Sequence, residues 1–172
     1  MILTGLEIKR RVKDASIHIE PFNDDQITTN TYDLTLGGKL IRYKDEVLDP
    51  KKFNAYMEIE IPDAGFEMEK GEFLLGSSAE VIGSNSYVPL IHARSSIARL
   101  GLFVHVTADL FDIGAVGQTT FQLYATRKIK LYKGMKIGQV SFWVPKGEII
   151  PYTGKYQGSI GPQPSQVHKD FS

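Results

Sequence analysis

Thr107-Ala108-Asp109-Leu110-Phe111-Asp112-Ile113-Gly114-Ala115-Val116-Gly117-Gln118-Thr119-Thr120-Phe121-Gln122-Leu123 turns first and then runs straight. Gly114 and Gly117 follow Asp112 at a spacing that suits a tight hairpin, where a ligand can approach the backbone. From Thr119 to Tyr124 the chain is rich in β-branched and aromatic residues, the composition of a strand. The same signature recurs outward from there. Ile137 to Trp143 shares it, and Tyr56 to Ile61 alternates apolar and charged residues with the period of a half-buried strand. Glycine and proline punctuate the chain at Gly37-Gly38, Pro50, Pro62, Gly65, Gly71, Gly83 and Pro89. Many short strands between frequent turns predict an all-β sandwich, jelly roll or barrel. Two short helices are expected within it. Thr4-x-x-Glu7 reads as a capping box opening a helix from Gly5 to Lys13. Ser95 to Leu100, closed by Gly101, reads as one short internal helix with a glycine stop.

The 172 residues suit one domain and one core. After Pro151 the composition shifts to Gly, Pro, Ser and Gln, so residues 1–150 form the β domain and 151–172 an extended or mobile arm. Lys and Arg number 20, as do Asp and Glu, and this balance does not indicate a nucleic-acid-binding domain. Cysteine is absent, which excludes disulfides, thiolate metal sites and the zinc deaminase with its Cys-x-x-Cys element. No secretory leader and no apolar run long enough to span a bilayer is read, so a cytoplasmic protein is expected, without nucleic-acid or membrane partners.

Several groups could carry chemistry. Arg94 and Arg99 flank Ser95 and Ser96 at the start of the predicted internal helix. Guanidinium forks, hydroxyls and free backbone N–H groups make a phosphate cradle. The same spacing also suits a capped surface helix with solvated arginines. Asp112 could orient a water or a sugar hydroxyl, or simply bond to its own turn. Of the four histidines, none has the partners of a metal site, and His105 is expected to be buried and hydrogen-bonded. Tyr152, Lys155, Tyr156 and Gln157 could close an arm over a ligand, or belong to a disordered tail.

Taken in order along the chain, these segments resemble the dCTP deaminase/dUTPase superfamily. Asn30-Thr31-Tyr32-Asp33-Leu34-Thr35-Leu36-Gly37 looks like the N-terminal strand signature of dCTP deaminases. Arg94 to Gly101 looks like their phosphate-binding segment, and His105-Val106-Thr107-Ala108 with Asp112-x-Gly114-x-x-Gly117 is similar to their base and sugar site. Gly134-x-x-Ile137-Gly138-Gln139 followed by Phe142, and Gly154-Lys155-Tyr156-Gln157-Gly158, resemble the strand beyond and the closing arm.

The resemblance implies a distorted β-barrel or jelly roll of the dUTPase-like type, a homotrimer with shared sites, and a deoxypyrimidine triphosphate bound with Mg²⁺. The metal would be held through the triphosphate and water. Arg94, Ser95, Ser96 and Arg99 would hold the triphosphate, and the backbone from Val106 through Thr107 to Ala108 would read the pyrimidine edge. Asp112 would sit near the deoxyribose and help orient the attacking water. Tyr152, Lys155 and Gln157 would close over the nucleotide.

Three positions depart from the family pattern. Gln122 stands where the deaminases carry a general-base glutamate. Ala115 replaces the usual aromatic, and Ser159-Ile160 replaces a glutamine of the arm. A glutamine can orient a water but cannot take its proton at neutral pH, and a positioned carboxylate contributes on the order of 10²–10⁴-fold in rate. The first expectation is therefore Mg-dependent hydrolysis of dUTP or dCTP to the monophosphate and pyrophosphate. The alternatives are dCTP deamination with compensation for Gln122, or an engineered change there, and a non-catalytic nucleotide-binding regulator.

Overall fold

A computed structural model describes residues 1–171. The elements run α1 (Gly5–Lys13), β1 (His18–Glu20), β2 (Tyr32–Tyr43), β3 (Tyr56–Glu60), β4 (Phe66–Met68), β5 (Phe73–Gly83), β6 (Val88–Ala93), α2 (Ser95–Ala98), β7 (Leu102–Phe103), β8 (Val116–Ala125), β9 (Ile129–Leu131) and β10 (Lys136–Trp143). The main sheet has 8 strands in the order β6-β10-β2-β5-β8-β7, with β1 added to β5 and β3 to β2. β4 and β9 form a separate antiparallel pair.

β8 shows how the sequence pattern becomes a wall. Thr119, Phe121, Leu123 and Ala125 are buried, while Gln118, Thr120, Gln122 and Tyr124 between them are not. Successive side chains of a strand point to opposite faces. Phe121 and Leu123 thus join Leu34 and Leu36 of β2, Leu74 and Ile82 of β5, and Val140 and Phe142 of β10 in one core. The sheet nearly closes into a distorted barrel. β6 is one edge strand, and the segment after β7 zips onto it: the Ile91 N–H donates to the Asp109 carbonyl at 2.8 Å and the Phe111 N–H to the Pro89 carbonyl at 3.0 Å. Pro89, which lacks an N–H, is tolerated in this strand at the sheet's edge.

α1 begins and ends where the sequence predicts. Thr4 is the N-cap, and its hydroxyl accepts the Glu7 N–H at 3.4 Å. Only half of the capping box forms, because the Glu7 carboxylate turns to Arg10 at 3.0 Å and Arg11 at 2.7 Å instead. α2 is a single turn, Ser95–Ala98 with Arg99 as its C-cap, two residues short of the expected end at Leu100; Gly101, with φ of +82°, ends the turn that follows.

The arm after Pro151 is extended but not loose. The Tyr152 N–H donates to the Ile113 carbonyl at 2.7 Å, Gly158 N–H to Val116 at 2.9 Å, and Gln118 N–H to Ser159 at 2.8 Å. Further on, the Gly161 N–H donates to Gln118 Oε1 at 2.6 Å, the Gln163 N–H to Thr120 Oγ1 at 3.0 Å and the Ser165 N–H to the Tyr43 hydroxyl at 2.8 Å. The arm ends in a 3₁₀ turn, Val167–Phe171, that the sequence does not announce.

Candidate active site

The outward face of β8 lines a cavity of about 840 Å³. Gln118, Thr120, Gln122 and Tyr124 form one wall, and Phe73, Leu75 and Ile91 extend it across β5 and β6. His105, Val106, Thr107 and Ala108 form a second wall, and Tyr156, Ser159, Gln163 and Ser165 of the arm close a third side. The volume falls in the range that holds a drug-sized or nucleotide-sized ligand.

Gln122 is fixed in this wall. Its N–H donates to the Val104 carbonyl at 2.9 Å, and its Oε1 accepts the Thr107 N–H at 3.3 Å and the Thr107 hydroxyl at 3.5 Å. The backbone donor defines which end of the amide faces Thr107, leaving the NH₂ group without a protein partner among the described residues. Ala108 next to it holds φ of +60°. That left-handed conformation is uncommon for a residue with a β-carbon and re-aims the backbone of the segment expected to read a base. Val106, Thr107, Ala108 and Gln122 thus line the same cavity.

His105 faces the same cavity but lacks the hydrogen bonds expected of it. Both ring nitrogens are shielded from solvent and neither has a partner. Burial lowers its pKa below the ordinary imidazole value, partly offset by the nearby Thr107 backbone and by Asp109. The ring packs edge-on against Phe121, with centroids 6.1 Å apart.

The phosphate-cradle residues stand apart. Arg94, Ser95, Ser96 and Arg99 do not line the cavity within this chain. Ser95, Ser96 and Arg99 are exposed, and no protein group bonds their side chains among the described residues. Of the alternative, a capped surface helix with solvated arginines, the surface position forms and the side-chain cap does not. Arg94 Nε is paired with Asp33 at 3.2 Å.

Asp112 is exposed. Its main-chain carbonyl accepts the Ala115 N–H at 3.1 Å, but its carboxylate bonds nothing among the described residues. The bland reading, a side chain spent on its own turn, is therefore not what forms. The glycines beside it let the arm approach the hairpin, and Gly117 also lines the cavity. A β-carbon on Gly114, where φ is +90°, would lie 2.8 Å from both Pro151 Cβ and Tyr152 N, and one on Gly117 would lie 2.9 Å from Ser159 N. Gln157 fastens the same hairpin: its Oε1 accepts the Val116 N–H at 2.9 Å and its NH₂ donates to the Gly114 carbonyl at 2.8 Å. Tyr152 and Lys155 do not reach the cavity wall either. The Tyr152 hydroxyl accepts the Tyr156 N–H, and Lys155 is paired with Asp170 at 2.6 Å. Of Tyr152, Lys155, Tyr156 and Gln157, Tyr156 is the one that lines the cavity.

No aspartate or glutamate lines the cavity among the described residues. Glu80 is buried elsewhere, where it accepts from Gln26 Nε2 at 2.7 Å and from the Thr35 N–H at 3.0 Å. Glu58 and Glu60 are surface partners of Lys39. None of the three is placed to replace a carboxylate at position 122. The described residues also contain no group of three or more His, Cys, Asp or Glu arranged to hold a metal.

A protein-family description, dCTP deaminase-like, matches residues 2–144. The chain belongs to this family. It is 42% identical over 172 residues to a protein of Hathewaya histolytica named dCTP deaminase, dUMP-forming, covering 99% of both chains. A Cytophaga hutchinsonii protein of the same name is also 42% identical, again over 99% of both. The solved 2'-deoxycytidine 5'-triphosphate deaminase of Agrobacterium tumefaciens superposes with a TM-score of 0.67 at 20% identity, over 84% of this chain and 48% of that one. The last likeness establishes the dUTPase-like barrel, and this chain spans about half of that protein.

Gln118, Tyr43 and Asp33 are absent from the candidates drawn from the sequence. Gln118 was legible from Gln122, because residues two and four positions away on a strand share its face. Tyr43 and Asp33 bond partners far away in the chain; Asp33 lies within the Asn30–Gly37 signature, which gives it no role, and no local pattern marks Tyr43.

Proposed function

We propose that this protein converts a deoxypyrimidine nucleoside triphosphate to dUMP, as a dCTP deaminase of the dUMP-forming kind. The observation that carries this is full-length 42% identity to relatives of that name. It moves deamination ahead of the hydrolysis-only expectation. From dCTP the balance is two waters consumed, and ammonia, pyrophosphate and dUMP released.

The cavity residues fit the base half of the task. The Val106–Ala108 backbone and the free NH₂ group of Gln122 present polar groups to a pyrimidine edge. Gln122 can orient a water at the ring carbon that bears the amine. It cannot take the proton, so deamination runs without its usual base and is slow. The phosphate half falls to Arg94, Ser95, Ser96 and Arg99, whose side-chain donors lack protein partners among the described residues apart from Arg94 Nε on Asp33, and to Asp112, whose unpaired carboxylate can orient the attacking water. Mg²⁺ would be carried on the triphosphate and offset its charge; with no protein cluster to cage it, Asp112 is the residue that would reach its water shell. Tyr152, Lys155 and Gln157 would act on the arm rather than on the nucleotide directly. The reaction belongs to the cytoplasm, where deoxynucleoside triphosphates are made.

A homotrimer with shared sites belongs to this reading. Its support is the separation of the phosphate-cradle residues from the cavity, together with the exposed aromatic side chains of Phe73, Phe103 and Tyr124 nearby. Light scattering that returned a monomer mass would remove it.

Hydrolysis without deamination is the second reading, favoured by the amide at position 122. The test is to incubate the purified protein with Mg²⁺ and dCTP, dUTP or dTTP, and to follow ammonia and pyrophosphate separately. Ammonia from dCTP supports the first reading. Pyrophosphate alone supports the second. Tight binding with neither product would leave a regulator.

A further inference from the structure

We propose that Asp33 is the positioning residue of the phosphate site, holding the Arg94 guanidinium by its inner nitrogen so that its two outer nitrogens face the nucleotide phosphates. This rests on the reading of Arg94 as a phosphate ligand.

Asp33 lies on β2 opposite Gln139 of β10, and β10 in turn pairs with β6, which ends at Ala93. The first residue after β6 is Arg94, whose N–H donates to the Ile137 carbonyl at 3.1 Å. Arg94 reaches back across β10 to Asp33, placing Nε 3.2 Å from Oδ1. The same oxygen accepts from Gln139 Nε2 at 2.9 Å, and Oδ2 faces Lys136 Nζ at 3.4 Å. The Asp33 side chain is 3% exposed, against 33% for Arg94 and 35% for Lys136. One buried carboxylate is therefore ringed by an amide and two cations that reach toward solvent.

That arrangement has a chemical consequence. A guanidinium is a rigid planar fork, and fixing one nitrogen fixes the direction of the others. With Nε ion-paired to Asp33, the outer nitrogens have no partner among the described residues and can meet phosphate oxygens in pairs. The carboxylate carries one negative charge between two positive ones, so the cluster keeps a net positive charge for an anion. Burial also makes the pairing demanding, because a buried carboxylate must be matched by charge and hydrogen bonds.

The experiment measures binding of inorganic triphosphate and of deoxycytidine, with kcat and KM for the nucleotide, in four variants. Arg94→Ala should weaken triphosphate binding on the order of tenfold or more, the worth of a charge-assisted bond. Asp33→Asn should weaken it by a similar factor and raise KM more than it lowers kcat, while deoxycytidine binding holds. Adding Asp33→Asn to Arg94→Ala should cost little more, because the two act as one unit. Gln139→Met loosens the same carboxylate with its charge kept, and should give a smaller loss in the same direction even if Asp33→Asn does not fold. Arg94→Ala without effect would remove the phosphate reading itself. Arg94→Ala weakening triphosphate while Asp33→Asn, or Gln139→Met in its place, leaves it unchanged would overturn the positioning role alone. Equal loss of deoxycytidine binding would also overturn it, by showing a general structural defect.

Discussion

The cavity wall on β8 and the turn from Arg94 to Gly101 are built on opposite terms. On β8, Gln118 and Gln122 are bonded within the chain, to the arm and to Thr107, and the reverse face of the strand is buried in the core. In the turn, Ser95, Ser96 and Arg99 are exposed, and Arg94 is held by one nitrogen only. The difference shows which groups are committed to architecture and which remain free for a ligand. Polar groups that a fold leaves unpaired at a fixed place are available to an anion, and those already satisfied set shape.

Substitutions should separate the two regions by what they damage. Phe121→Ala, on the core face of β8, should lower unfolding free energy by about 3–5 kcal/mol in urea titration; a loss under 1 kcal/mol would mean that the wall is not anchored by its core face. Asp112→Asn should slow pyrophosphate release on the order of 10²-fold, at the lower end for a group that handles a proton or water, and should leave the melting temperature unchanged because the carboxylate bonds nothing in the protein. An unaltered rate would take Asp112 out of the chemistry. Arg99→Ala should raise KM about tenfold with no loss of stability, as expected for an exposed, unpaired cation; a stability loss without a change in KM would place it with the architecture instead.

The smallest effect expected is on pH. Burial lowers the pKa of His92 and of His105. Their unfolded counterparts take up protons first as pH falls through about 6.5. The unfolded state then binds more protons, so stability is full above that pH and falls below it. Melting temperature should therefore drop on acidification below about 6.5, and His105→Asn should flatten the slope. A slope unchanged by that substitution would assign the effect to other groups.

Much of the barrel was legible in local pattern. β3, β8 and β10 follow from alternation and β-branched composition, α1 from Thr4-x-x-Glu7, and the start of α2 from Ser95. β6 was hidden because Pro89 argues against a strand unless the strand is known to lie at an edge. The arm was legible as extended, but its docking was not: Gln118, Thr120 and Tyr43 hold its backbone through side chains distant in sequence. The site divided in the same way. Motif order placed Val106 to Ala108 beside Gln122, whereas the duties of Gly114, Gly117, Gln157 and Lys155 toward the arm, and of Asp33 toward Arg94, depend on contacts between distant segments.

Gln122 lies where the wall meets the chemistry. Its partner Thr107 stays in place whether the side chain is an amide or a carboxylate, so Gln122→Glu changes the proton chemistry with little change of shape. The most direct measurement compares ammonia release from dCTP, and pyrophosphate release from dUTP, in the protein and in Gln122→Glu. The account predicts that ammonia release rises on the order of 10²–10⁴-fold while pyrophosphate release stays within a few-fold. Ammonia release left unchanged by the carboxylate would contradict it.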